Sequence, residues 1–310
     1  MKPTRKAAIT RRRKRFIKER ELWILFAIML VWVGVICYYP MYGLIIAFKQ
    51  YVPGRSIQSA AWVGFKYFKQ FFSSPDFPYV IRNTLVISGL NLLFGFPAPI
   101  ILAVMLNEMR MRRTKRIIQT ISYLPHFISW VVTASLLFTL LNSEGLINKF
   151  LLDIGLIDTR INWLNDGQYF WGILVTANIW KNVGFSSIIF LSAMSGIDQE
   201  LYQAGAVDGL GRAGQIWHIT LPGIRVTVIL LGILQLGSIL NAGFEQQLLL
   251  GNDLTRRYYE VIDTYAYKYG VQLGNYSYGT AVGLMKGLIS VSLVFLANAL
   301  SRKTMDIAVI

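Results

Sequence analysis

Cysteine, histidine and charged residues are all scarce in this chain of 310 residues. The single cysteine, Cys37, excludes an intrachain disulfide framework and reports no redox compartment. Two histidines, His126 and His218, leave no His/Cys cluster for zinc, so no metal site is expected. No G-x-x-x-x-G-K-[ST] run occurs, and the chain therefore has no phosphate-cradling loop of its own. There is no H-E-x-x-H, and neither histidine sits in a recognisable Ser/His/Asp arrangement. A catalytic centre and a bound cofactor are accordingly not expected. Charged residues make up 15% of the chain, where a soluble domain carries about 25%.

What is abundant is apolar length. Hydrophobic residues make up 54% of the chain, and they fall in runs long enough for helices that cross a hydrocarbon core, which takes about 20 residues each. The first run begins at Leu22 and meets no charge before Lys49. Others cover 83–107 and 117–143 without any Asp, Glu, Lys or Arg. Residues 169–197 are interrupted by Lys181, 223–251 by Arg225 and Glu245, and 278–301 by Lys286. These predict an all-α polytopic membrane protein of six transmembrane helices, with a domain over 22–303 between a basic tail, 1–21, and a short tail, 304–310. The first run is too long for the h-region of a signal peptide and is read as a retained helix.

The net charge of +15 alone would suit nucleic acid or an anionic lipid surface, and the distribution of the charges decides. Ten Lys/Arg lie in 1–21 and five more in 107–116. The loops 142–168 and 252–277 hold two and three, with four and three acidic residues. Basic excess marks the cytoplasmic side, so both termini are expected in the cytoplasm of a bacterial inner-membrane protein, and nucleic acid is not an expected partner.

Between the fourth and fifth runs lies 197–222, IDQELYQAGAVDGLGRAGQIWHITLP. Ile197, Leu201 and Ala204 fall on one stripe of a short helix. The small residues of 203–206 admit a close neighbour, Gly209 and Gly211 end the helix, and Pro222 suits the first turn of the next span. The aromatic stripe at 65–72 reads as an interfacial helix or as a loop packed on the spans. Pro97, Pro99 and Pro125 fall inside spans two and three and predict kinks.

The 197–222 segment resembles the cytoplasmic coupling loop of binding-protein-dependent ABC importer permeases, whose pattern is E-A-A, three residues, G, nine residues, I-x-L-P. Gln203, Ala204 and Gly205 stand at the E-A-A positions, and Gly209, Ile219, Leu221 and Pro222 match the rest at the same spacing. Asp208 fits the Asp-Gly pair common in the family. Gln203 keeps the length and hydrogen bonding of the usual glutamate but not its charge, and Gly205 replaces the second alanine. WVGFKYFKQFFSSPDF, VIRNTLVIS, YLPHFISWVV, NAGFEQ and VIDTYAYKYG are similar to carbohydrate-uptake permeases, within them the complex or uronate oligosaccharide group. The resemblance implies a coupling helix between spans four and five and a second, homologous permease subunit. It also implies an ATP-binding cassette ATPase dimer holding ATP and Mg, an extracytoplasmic solute-binding protein, and an oligosaccharide substrate. A self-sufficient secondary transporter is the alternative, and it would be expected to show repeated halves.

Ionisable and amide side chains within the spans are candidates for a substrate pathway. Asn178, Trp180, Lys181 and Asn182 in span four, Asn241 and Glu245 in span five, and Lys286 in span six form that set. Amides bind sugar hydroxyls and tryptophan covers a ring face; the same residue types also bond helix to helix. The two lysines either face the pathway or snorkel outward, and Glu245 is a candidate partner for one of them.

Overall fold

The computed structural model describes residues 19–305. Most of the basic tail expected at 1–21, and all but the first two residues of the tail expected at 304–310, lie outside the described residues. Within them the regular structure is helical apart from one antiparallel ladder of two short strands, β1 (Lys49–Gln50) and β2 (Ala61–Trp62). Five stretches are long and apolar enough to cross a membrane. They are α1 (Arg20–Phe48), α3 (Phe77–Glu108), Trp130–Asp153, α7 (Gly167–Ser195), and Tyr276–Ala299 of the last helix; α2 (Lys66–Phe72) is a short helix between the first two. A bent pair, Arg212–Gly223 followed by Arg225–Gly237 at 60°, would make a sixth.

Three of the helices widen into a π-turn two residues ahead of a proline. Gly34–Tyr38 precedes Pro40, Asn91–Gly95 precedes Pro97, and Ile216–Thr220 precedes Pro222. A proline cannot donate to the carbonyl four residues back, and its ring collides with that carbonyl. The acceptors concerned are Ile36, Leu93 and His218, each at the middle of its wide turn, where one extra residue moves the carbonyl aside. The helices therefore continue through these prolines. Pro222 consequently lies within the first arm of the bent pair and not at the start of a span.

Pro125 has a different outcome. The run 117–143 predicts one span, yet the helix breaks at Leu124–Phe127 into α4 (Arg112–Tyr123) and α5 (Trp130–Leu141). α4 is amphipathic, with Arg112, Arg113, Lys115 and Arg116 ahead of an exposed Ile117 and Ile121. The third apolar stretch instead runs on from α5 through a turn into α6 (Leu146–Asp153). The Ser129 hydroxyl restarts the chain by accepting the Val132 amide, satisfying one of the first-turn donors.

Span five also differs from 223–251. After α8 (Gln199–Val207) come the bent pair, α9 (Arg212–Gly223) and α10 (Arg225–Gly237), a turn, and the short α11 (Glu245–Leu250). α10 alone is about 20 Å long at 1.5 Å per residue, too short to cross a bilayer. The segment 252–277, read as a loop, folds into α12 (Arg256–Tyr259) and α13 (Ile262–Tyr267) ahead of α14 (Tyr276–Met305). Its alternation of charged and apolar residues hides a packed segment, since Val261, Ile262 and Tyr265 belong to the core.

Three apolar clusters hold the bundle. One gathers Phe71, Val80, Tyr265 and Tyr278 from α2, α3, α13 and α14. Here the aromatic stripe divides, with Tyr67 and Phe71 inside the core and Phe65 and Phe72 outside. A second unites Ile87, Phe170, Leu174 and Leu250. The third, around Phe190, Met194 and Ile224, joins α7 to the bend between α9 and α10. Backbones approach closely at Gly184 of α7, where a Cβ would fall 2.0 Å from the Ser122 carbonyl oxygen of α4. α1 packs on α14 along Tyr39–Phe48, whereas none of its first fourteen residues is buried among the described residues.

Candidate functional site

At mid-length, α3, α7 and α10 enclose a cleft of about 350 Å³ with a cluster of polar side chains on its walls. Asn91 of α3, Asn178 and Asn182 of α7, and Gln235 of α10 face it, with Ser186 and Ser238 beside them. A smaller recess of about 80 Å³ shares Asn91, Asn178, Gln235 and Ser238 and extends to Asn241 and Gln246. The helical repeat explains the α7 contribution, because residues 178, 182 and 186 stand one turn apart on a single stripe. These polar side chains are set in an otherwise apolar wall, to which Phe96, Ile179, Ile189 and Phe190 contribute. Hydroxyl-bearing solutes with apolar ring faces suit such a surface.

Of the side chains singled out from the sequence, Asn178, Asn182 and Asn241 are brought together here. Trp180 is rotated onto an apolar groove of about 640 Å³ between α5 and α7. Lys181 points at the break in span three, where its ammonium donates to the carbonyls of Pro125 (3.3 Å), His126 (3.1 Å) and Ile128, and lies 5.7 Å from the Trp130 ring centre. The residue is only 6% exposed, and its three N–H donors match those three carbonyls. Lys286 pairs with Asp263 of α13. Glu245 is exposed and takes neither lysine, since both are answered elsewhere. Asn91 and Ser238 escaped the sequence reading, although both are polar residues within apolar runs.

The segment 252–277 carries a second group of interacting polar residues. Glu260, 1% exposed, accepts from the Tyr79 hydroxyl (2.8 Å) and Arg256 Nε (3.1 Å), with Lys268 Nζ at 3.7 Å. Arg256 also reaches Asp76 (3.2 Å), to which the Tyr269 hydroxyl donates (2.9 Å). Burial and that hydrogen bond push the Tyr269 phenol up to about 12, so it stays a neutral donor. The network ties the start of α3 to α12 and the turn after α13. Beside it, the Arg82 guanidinium lies 5.3 Å and 5.4 Å from the ring centres of Trp171 and Tyr258. Arg82 and Arg257 have no ion pair among the described residues and line a cavity of about 750 Å³.

At the far end of α7, Asp198 caps α8 by accepting the Glu200 amide at 2.9 Å. The helix closes with a Schellman turn, in which Leu210 N–H reaches the Gly205 carbonyl (2.8 Å) and Gly209 N–H the Ala206 carbonyl (3.2 Å). Gly209 takes φ +81°, whereas Gly211 has φ −70°. Gly205 is buried toward α9, and a Cβ there would meet Ile219 Cδ1 at 2.9 Å and Leu210 Cδ1 at 3.2 Å. Gly205 and Ile219 are thus in contact with one another, while Gln203, Ala204, Asp208 and Gly209 are exposed. Leu201, Val207 and Trp217 add apolar surface, with Val207 88% exposed. Leu221 and Pro222 belong to the widened arm of α9. Because Ile219 Cδ1 is the tip of a flexible chain, Gly205→Ala should change stability by less than about 1 kcal/mol, helix propensity offsetting the crowding. A thermal melt against the parent chain checks this.

The pattern of the binding-protein-dependent transport system inner membrane component matches residues 95–306. Protein LplB of Bacillus subtilis is 45% identical over 287 residues, 92% of this chain and 90% of that protein. The polygalacturonan/rhamnogalacturonan transport system permease protein YteP of the same organism is 41% identical, over 93% of this chain and 90% of its own length. A chain in the crystal structure of a bacterial ABC transporter that imports the acidic polysaccharide alginate superposes with a TM-score of 0.87 and 40% identity, covering 95% of this chain and 99% of that one. The chain thus belongs to the binding-protein-dependent transport system inner membrane component family, as a permease subunit of an ABC-type importer.

Proposed function

We propose that this permease passes an oligosaccharide through the cleft between α3, α7 and α10, and that α8 is a cytoplasmic coupling helix. The observation that carries the reading is the convergence of Asn91, Asn178, Asn182 and Gln235 from three helices on one mid-length cavity. Sugar hydroxyls each donate and accept, and the amides answer them in the same manner. The relatives named for pectic polymers and alginate support carbohydrate as the substrate class. An acidic sugar would meet Arg82 and Arg257 at the mouth and not the lysines of the spans, whose charges are already answered.

On this reading the bent pair α9–α10 counts as one span, giving six, with both termini and α8 in the cytoplasm, as the distribution of basic residues supports. The exposed Leu201, Ala204, Val207 and Trp217 form an apolar docking face for an ATPase subunit. The working assembly is a heteromer with a second permease, two ATPase subunits holding ATP and Mg, and an extracytoplasmic binding protein that delivers the sugar.

The test is uptake by the complete transporter in proteoliposomes. Asn178→Leu removes one donor and one acceptor from the cleft and should lower uptake about tenfold, with basal ATP hydrolysis unchanged. Native uptake by that variant would remove the cleft from the pathway. The chain purified alone should show no saturable nucleotide binding, and equilibrium dialysis with labelled ATP checks it.

A further inference from the structure

His126 lies outside the cleft, yet its ring ends a chain of amides that leads into it. The His126 Nδ1 is 3.1 Å from Asn182 Oδ1, Asn182 Nδ2 is 2.8 Å from Asn178 Oδ1, and Asn178 Nδ2 is 2.8 Å from Asn91 Oδ1. The direction of these bonds can be deduced from two backbone carbonyls, which only accept. One end of the Asn91 amide lies 3.0 Å from the Ile87 carbonyl, so that end is the NH2 group and the oxygen is turned to Asn178. Asn178 must then donate to it. One end of the Asn182 amide lies 3.0 Å from the Asn178 carbonyl, so that end too is NH2. The Asn182 oxygen is thereby left facing His126, and Nδ1 must carry a proton.

We propose that His126 is a positioning residue for substrate. Its Nδ1–H answers the Asn182 oxygen and anchors the end of an amide chain whose direction the Ile87 and Asn178 carbonyls fix, and so keeps in place the donors and acceptors that the cleft offers to a sugar. Asn91 and Asn178 each use one N–H and one lone pair within the chain. Each keeps one N–H and one lone pair for the cleft. A donor and an acceptor side by side on one amide edge fit a vicinal diol of a pyranose ring, whose neighbouring hydroxyls can accept one bond and donate the other. The imidazole is held for this task, being stacked on Phe185 at 4.0 Å with the rings 2° from parallel, while Lys181 binds its backbone carbonyl. The inference rests on the cleft being the sugar passage.

The test is the KM and kcat of uptake by the complete transporter, with a neutral oligosaccharide bearing vicinal diols as the probe. His126→Phe keeps the stacking ring and loses the donor; it should raise KM about tenfold with basal ATP hydrolysis unchanged. His126→Asn sets an amide N–H near the Nδ1 position and should stay within about threefold of the parent KM, a difference well below that of a lost hydrogen bond. His126→Gln sets its donor at the other ring nitrogen's position and should behave as His126→Phe.

A parent-like KM in His126→Phe overturns the proposal. If His126→Phe fails to assemble, equal KM values for His126→Asn and His126→Gln overturn it. Should Asn178→Leu also transport normally, the passage itself is wrong; loss in Asn178→Leu beside a native His126→Phe defeats only the role given to His126.

Discussion

A Lys181→Met variant should accumulate poorly in the membrane and unfold at a lower temperature than the parent chain, having lost about 2 kcal/mol or more. Methionine fills the volume of the lysine stem but donates nothing. The Ile128 amide still reaches the Pro125 carbonyl at 3.2 Å, whereas the carbonyls of His126 and Ile128 lose the donor that answers them. Each bare acceptor in a dry interior costs about 1–3 kcal/mol, and lipid offers no water in compensation. The variant also loses the contact of the ammonium with the Trp130 ring. Lys286→Met is a useful contrast, since it exposes one carboxylate, Asp263, that is already partly accessible. Thermal melts in detergent should rank Lys181→Met well below Lys286→Met. The reverse order would mean that the break in span three does not depend on the ammonium.

Gly209→Val should abolish coupled uptake while leaving membrane insertion intact, and Gly211→Ala should transport as the parent does. The two glycines stand two residues apart in the same run, but only Gly209 has a positive φ, +81°. A β-branched residue there costs on the order of 1–2 kcal/mol in the left-handed region, comparable to what the Schellman turn contributes. Releasing that turn frees the end of α8 and with it Val207 and the exposed face beside Ala204. Gly211, by contrast, has φ −70° and open space around its Cα. Uptake and ATP hydrolysis measured together in the complete transporter decide the matter. If Gly209→Val transports at the parent rate, α8 does not need its C-terminal turn to work.

Much of this architecture is legible along the chain. The long apolar runs at 22–48, 83–107, 169–197 and 278–301 each became a long helix, because burial of apolar length against lipid is a local requirement. The small residues and spacing of 197–222 predict a short helix ended by glycine, and α8 closes in a turn through Gly209. Pro97, Pro99 and Pro125 were legible as irregularities, but not their outcome, and Pro40 and Pro222 were not legible as irregularities at all. Pro40, Pro97 and Pro222 are each absorbed by a wide turn, whereas Pro125 breaks its helix where Lys181 stands ready to bind the freed carbonyls.

Composition and periodicity by themselves determined the membrane class, the approximate number of spans and the asymmetry of charge between the two ends. These depend on sums and repeats over twenty or so neighbouring residues. The tertiary structure alone decided what each polar side chain does. Asn178, Trp180, Lys181 and Asn182 are near neighbours in sequence, yet the 100° turn per residue of α7 sends them to a polar cleft, an apolar groove and a carbonyl cage. The rotation of a helix about its axis is set by what packs on every side of it. For α7 that includes the contact of Gly184 with Ser122, from a helix more than fifty residues earlier in the chain.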